Sequence, residues 1–137
     1  MPHLNIYAGL YTLLTADQTA GSFYDDLTGR IYPTQAVVGE DLPLCTFGFS
    51  SDSPDKYFTG NDVDATLQVS IWMDSEIHSP EDIVAVNDKL VAILEDATPT
   101  FTAHSCGQIR SIDTGVLDRQ EQAWVIQTLW TVTATAD

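Results

Sequence analysis

From Asp62 to Met73 apolar and polar residues alternate with period two. Val63, Ala65, Leu67, Val69, Ile71 and Met73 fall on one side, and Asp62, Asp64, Thr66, Gln68 and Ser70 on the other. This predicts a strand with one buried and one wet face. Trp72 sits on the polar side and breaks its pattern. A helix is predicted directly after it. Ser79 can cap it, Pro80 suits its first position, and Glu81 and Asp82 favour the positive end of its dipole. Ile83, Val86, Leu90 and Leu94 recur at spacings of three and four, with Val84, Val91 and Ile93 widening the stripe. Laying that stripe across the apolar face of the strand gives a two-layer core that the rest of the chain must complete.

Elsewhere the pattern is weaker. Residues 4–15 read as a helix with Leu4, Tyr7, Ala8, Tyr11 and Leu14 on one face, Leu10 beside it, and Gly9 a local cost of roughly 1 kcal/mol against alanine. Residues 16–43 are punctuated by Gly21, Gly29, Pro33, Gly39 and Pro43. Ile31 and Tyr32 can start a short strand, which Pro33 confines to an edge or an end. Residues 44–50 predict a strand with Cys45, Phe47 and Phe49 on one face, and the Ser-, Asp-, Pro- and Gly-containing stretch after it predicts a turn into the long strand. Residues 100–114 read as a strand broken near Gly107, where a bulge would reconcile Ile109 with Ile112. Thr114–Gln120 reads as a turn. Residues 122–134 read as a last strand, apolar enough on both faces for a central position or for burial against another copy. The expected fold is one α+β domain over residues 1–137. It has an antiparallel sheet of about four main strands with two helices on one face, in the order α-β-β-α-β-β, and a short extra strand near residues 30–33.

Charge changes the picture more than composition does. Twenty Asp and Glu face five Lys and Arg, for a net charge of −15 over 137 residues. Disorder is argued against by three Trp, five Tyr, five Phe and the periodic segments. Such a surface opposes binding to phosphate backbones and opposes close self-association at low salt. The first basic residue is Arg30, so no secretory leader is expected at the start, and no apolar run is long enough to span a bilayer. Two cysteines, Cys45 and Cys106, read as buried thiols rather than a disulfide framework.

Candidate chemistry is sparse. His3, His78 and His104 are scattered without metal-binding spacing, and NDVDATLQ lacks the glycine and terminal glutamate of a calcium loop. His104 and Cys106 lie two apart on a predicted strand and so share a side, but no third residue nearby orients the histidine. GFSSD is not a nucleophile elbow, and no phosphate-binding glycine loop occurs. No catalytic, cofactor-binding or metal-binding residue is assigned and no cofactor is expected. The residues describe a non-enzymatic protein. Surface contacts are expected at Ile31, Tyr32, Pro33, Val37 and Val38, and on the loop carrying Asp52, Asp55, Lys56, Tyr57 and Phe58.

The order of features resembles the tail-completion, or tail-terminator, family of long-tailed bacteriophages and gene transfer agents. The similarity runs through the N-terminal helix, GRIYP at Gly29–Pro33 and LPL at Leu42–Leu44. It continues through IWMD at Ile71–Asp74, VNDKLVAIL at Val86–Leu94 and RSIDTGVLDRQEQAW at Arg110–Trp124. The resemblance implies a structural virion protein made in the host bacterial cytoplasm and placed at the tail–neck junction. There a ring, usually of six copies, caps the tail tube and meets the head-completion or stopper protein of the neck. DNA would pass through an acidic lumen as a non-sticking passenger, and no membrane is involved. Two other readings of the same charge and residues are an acidic DNA mimic that inhibits a nucleic-acid enzyme and a small hydrolase built on His104 and Cys106.

Overall fold

The computed structural model describes residues 2–33, 42–49, 62–97, 100–101, 104–106, 109–120 and 123–136. The elements in chain order are helix α1 (Pro2–Leu14), helix α2 (Phe23–Asp26), strand β1 (Ile31–Pro33), strand β2 (Leu44–Phe49) and strand β3 (Asp62–Asp74). They continue with helix α3 (Pro80–Leu94) and strands β4 (Thr100–Phe101), β5 (His104–Cys106), β6 (Arg110–Gln120) and β7 (Ala123–Ala136). The class is α+β, as the patterning predicts, with four long strands (β2, β3, β6, β7) and three short ones in one sheet.

The strand order is β1-β2-β3-β7-β5-β4, with β6 on the same side of β7 as β5 and further along it. The β3–β7 ladder is the spine. It runs from Asp62 opposite Thr135 to Asp74 opposite Ala123, thirteen pairs and about 40 Å at the usual rise per residue. Its alternation is that of the sequence: Leu67, Val69, Ile71 and Met73 are buried against Ile126, Trp130 and Val132. β7 therefore takes the central position its two half-apolar faces call for. β1 is an edge strand, as Pro33 requires, but it pairs with β2 in parallel, a departure from the purely antiparallel sheet expected.

Helix α3 forms where its caps predict. Ser79 is extended, Pro80 opens the helix, and the Ser79 N–H donates to the Asp82 carboxylate at 3.1 Å. Ile83, Val86, Leu90 and Leu94 are buried on the sheet. Val84 does not widen the stripe but is 42% exposed. It lies about 100° around the helix from Ile83, on the flank away from Lys89. Lys89 on the other flank reaches the Asp26 carboxylate at 2.5 Å and the Gly21 carbonyl at 2.6 Å, tying α3 to α2.

Helix α1 is rotated from the predicted face. Gly9, Leu10 and Leu14 are buried, whereas Ala8 and Tyr11 are exposed. The buried line runs through Gly9, Leu10, Leu13 and Leu14 rather than through Tyr11, and glycine at position 9 adds no side chain to be accommodated there. The short helix α2, which no periodicity announced, is capped by Ser22, whose hydroxyl accepts the Asp25 N–H at 3.2 Å. It buries Phe23 and Leu27. Gly29 ends it with φ +72° and an N–H donated to the Tyr24 carbonyl. A Cβ there would lie 2.8 Å from the Tyr24 hydroxyl. Gly29→Ala is expected to cost about 1–2 kcal/mol, the left-handed penalty plus a small shift of a movable side-chain end. Urea denaturation with an unchanged slope would measure it; a stability equal to the parent would refute it.

The segment read as a turn, Thr114–Gln120, is strand. β6 runs antiparallel to β7 as far as Gln120 opposite Ala123. Gly115 lies at a bulge within it. Between Cys106 and Val116 the partners on β7 retreat from Ala134 to Gln127, so ten steps on one strand face seven on the other. One step is lost between the pairs of Cys106 and Arg110, one between Ser111 and Asp113, and one between Asp113 and Val116. The first is the interruption expected near Gly107. It does not bring Ile112 inside: Ile109 is buried, but Ile112 falls at the second bulge and is 55% exposed.

Candidate interaction surfaces

The expected contact residues divide in three. Ile31 is buried in the core, so its side chain is unavailable for contact. Tyr32 is half-buried and Pro33 exposed, both at the β1 edge of the sheet. Val37, Val38, Asp52, Asp55, Lys56, Tyr57 and Phe58 lie outside the described residues. His104 and Cys106 share a face of β5, but their side chains also lie outside the described set. Cys45 is wholly buried, and burial pushes its thiol far above the ordinary range, which makes it an inert apolar side chain.

The face of the sheet opposite the helices carries one apolar row. Leu44, Trp72 and Val125 lie side by side on β2, β3 and β7, and Leu44 and Val125 are buried there. Trp72, which breaks the polar pattern, is half-buried in the middle of this row.

Carboxylates dominate the exposed helix surface. Glu81, Asp88 and Glu95 are exposed and seven residues apart, so they line one stripe along the outside of α3 with Ala85 and Ala92 between them. Their axial spacing is about 10 Å, roughly three times the 3.4 Å rise per phosphate of a DNA strand. The stripe gathers like charges that repel a polyanion. Asp17 adds an exposed anion in the turn between α1 and α2. The Thr19 hydroxyl and backbone N–H donate to it at 2.6 and 3.1 Å and hold its carboxyl below the usual range.

Cations are placed differently. Of the four among the described residues, Arg30 is partly covered and Lys89 is engaged with Asp26. The two exposed ones, Arg110 and Arg119, are both on β6. Arg110 reaches Asp96 at 3.8 Å, and the Arg119 guanidinium sits 5.6 Å from the centre of the Trp124 ring. Reading Thr114–Gln120 as a turn hid the place of Arg119, while Arg110 fell in the stretch read as strand. The sequence gives little signal for the strand that carries them, because two register shifts inside Arg110–Gln120 interrupt its alternation.

Comparison with known families supplies the deciding observation. The profile of tail completion protein gp17 matches residues 8–134. The chain belongs to the tail completion protein gp17 family. It is a structural tail protein. The solved structures similar to this tail completion protein include a chain from the virion of a native gene transfer agent particle. The two share 15% identity over 98% of each chain, with a TM-score of 0.76. A second solved structure covers 100% of this chain and 98% of its own at 12% identity and a TM-score of 0.67. At such identities the likeness is one of fold. No curated protein sequence matches the chain.

Proposed function

We propose that this tail completion protein forms the ring that closes the end of the tail tube and joins it to the neck beneath the head, with six copies to the ring and DNA passing through its centre. Its family membership carries this reading, and two features of the chain support it. Among the described residues the two outer edges of the sheet differ, β1 on one side and β6 and β4 on the other, as a head-to-tail ring needs. The outer stripe of α3 presents Glu81, Asp88 and Glu95 in line. Facing a channel, that stripe would repel phosphates and let the genome slide without sticking. The partners are further copies, the tail tube protein and the head-completion or stopper protein of the neck, and the place of action is the tail–neck junction. No step of this role calls for a reaction.

Six copies at −15 each bring together a net charge of −90 (6 × 15). Mutual repulsion over about 10 Å at 0.1 M ionic strength must be screened or offset before copies can close. Ring formation is therefore expected to strengthen from low to moderate salt and in the presence of tail tubes. Light scattering across a salt series, followed by electron microscopy of the protein mixed with purified tubes, checks both. Assembly that weakens as salt rises contradicts the electrostatic account. Tube ends that never acquire a ring contradict the function.

A further inference from the structure

We propose that the face of the sheet turned away from the helices pairs with the same face of a second copy, so that the free chain forms a two-fold dimer. This goes beyond the ring reading and is tested apart from it. The starting observation is a gap in the charge map. On β2, β3 and β7, from the Thr66–Thr131 pair to the Trp72–Val125 pair, the outward positions hold Thr, Ser, Gln, Gly, Leu, Trp and Val, with no ionisable side chain among the described residues. Charges return at the rim: Arg110, Asp113 and Asp118 on β6, opposite Thr131, Leu129 and Val125, and Asp74 at the end of β3. In a chain of net charge −15 this is an uncharged centre within a charged rim, the composition of a protein–protein contact.

The patch is open to contact. Gln127 is exposed, and Thr66, Gln68, Trp72, Leu129 and Thr131 are half-buried. The Gln127 amide donates to the Ser70 hydroxyl at 3.4 Å. Trp72 is an independent sign. Its indole N–H is buried from water and meets no acceptor, although the ring itself is only half-buried. Folded proteins rarely leave such a donor orphaned. Beside a second copy, a turn of the ring brings it within reach of a facing Gln or Thr oxygen.

A second copy is the occupant that charge selects. Whatever covers an uncharged face must bring no unpaired charge into the contact. The helix side of the chain does not qualify, since Glu81, Asp88 and Glu95 line it. The face itself qualifies, and its hydroxyls and amides supply both donors and acceptors. Two-fold pairing also sends the helix layers outward. Two sheets about 10 Å apart, each with a helix of about 10 Å diameter beyond it, hold the two carboxylate stripes roughly 40 Å apart. That is about four Debye lengths at 0.1 M ionic strength, so these stripes barely repel. The contact is self-complementary and stops at two copies, leaving the sheet edges for other partners. Three strands about 4.8 Å apart and about seven residues long cover roughly 300–400 Å² per copy, about half of what a stable complex buries per partner. The dimer is accordingly weak, with a dissociation constant on the order of 100 μM.

The test uses the full chain without tail tubes. Sedimentation velocity from about 10 μM to about 1 mM is expected to shift from one copy to two and to stop there. Gln127→Glu and Gln127→Lys put a charge of either sign into the contact, and each is expected to weaken pairing about tenfold or more. Ala16→Glu adds the same charge as the first at the exposed end of α1 and should leave pairing within about twofold. The Trp72 indole N–H resonance, assigned with Trp72→Phe, should move with protein concentration, while that of the wholly buried Trp130 stays. Should the Gln127 variants melt lower than the parent, Thr131→Lys carries the same prediction. The inference is overturned if the parent stays a single copy throughout, or if Gln127→Glu weakens pairing no more than Ala16→Glu. Tighter pairing by Gln127→Lys than by the parent also overturns it, because net charge alone would then govern association. So do Gln127 variants that pair normally and lose only tube binding, which would assign the face to the tube. Rings on tube ends are scored separately by microscopy, so the ring reading stands in each of these cases.

Discussion

Trp130→Ala is expected to remove about 3–5 kcal/mol of stability, the usual cost of truncating a buried large aromatic. Trp130 is the largest wholly buried side chain, at the centre of β7 opposite Leu67, where sheet and helices meet. Its indole N–H donates to the Thr128 hydroxyl at 2.9 Å, and that hydroxyl in turn donates to the Val69 carbonyl at 3.3 Å. Truncation thus opens a cavity and takes a donor from a buried oxygen. At about 2.1 cal/mol/K per residue the loss corresponds to a fall in melting temperature of roughly 10–17 °C. Trp130→Phe restores much of the volume but not the donor, and should cost about 1–3 kcal/mol. Chemical denaturation of both variants checks the ordering. A loss below about 1 kcal/mol for Trp130→Ala would mean that the core does not centre on this residue.

Gly115→Val is expected to cost about 2–5 kcal/mol, combining left-handed strain with forced overpacking. Gly115 has φ +102°, and a Cβ there would lie 2.6 Å from the Ile126 methyl and 3.1 Å from that of Thr128. Both methyls belong to the central strand and cannot move as the end of a flexible chain would. Gly21 is the internal control: it also has a positive φ, +81°, but nothing lies within 4 Å of its Cβ position. Gly115→Ala should therefore exceed Gly21→Ala by about 1 kcal/mol or more, the difference being steric. Equal losses at the two sites would show that the β6 bulge relaxes to admit a side chain and does not set the strand's path.

Those two residues also mark what was and was not readable from the chain. β3 and α3 were, because each buries one face, and burial on one face forces a period of 2 or 3.6 that survives any detail of neighbours. The end of α3 at Ser79–Pro80 was readable because capping is a local exchange between a side chain and nearby N–H groups. β6 was not. Three extra residues flip the inward-facing parity three times, so no window longer than a few residues shows alternation. α1 showed its helix but not its rotation, since Leu10, Tyr11 and Leu14 satisfy several faces almost equally. The choice was left to tertiary packing.

The surface followed the same division. The acidity of the chain is a property of composition, and the line of Glu81, Asp88 and Glu95 follows from heptad spacing on a helix. The gathering of Arg110 and Arg119 on one free edge could not be seen until β6 was known to be strand and to be outermost. Local hydrogen bonding and one-sided burial are written in neighbouring residues, so the sequence by itself determined helices α1 and α3 and strands β2, β3 and β7, the core faces of β3 and α3, and that the protein is a polyanion. Strand partners are chosen between residues tens of positions apart. Only the tertiary structure could decide that β1 joins β2 in parallel, that β6 is a strand paired with β7, and that Arg110 and Arg119, the two exposed cations among the described residues, both lie on β6.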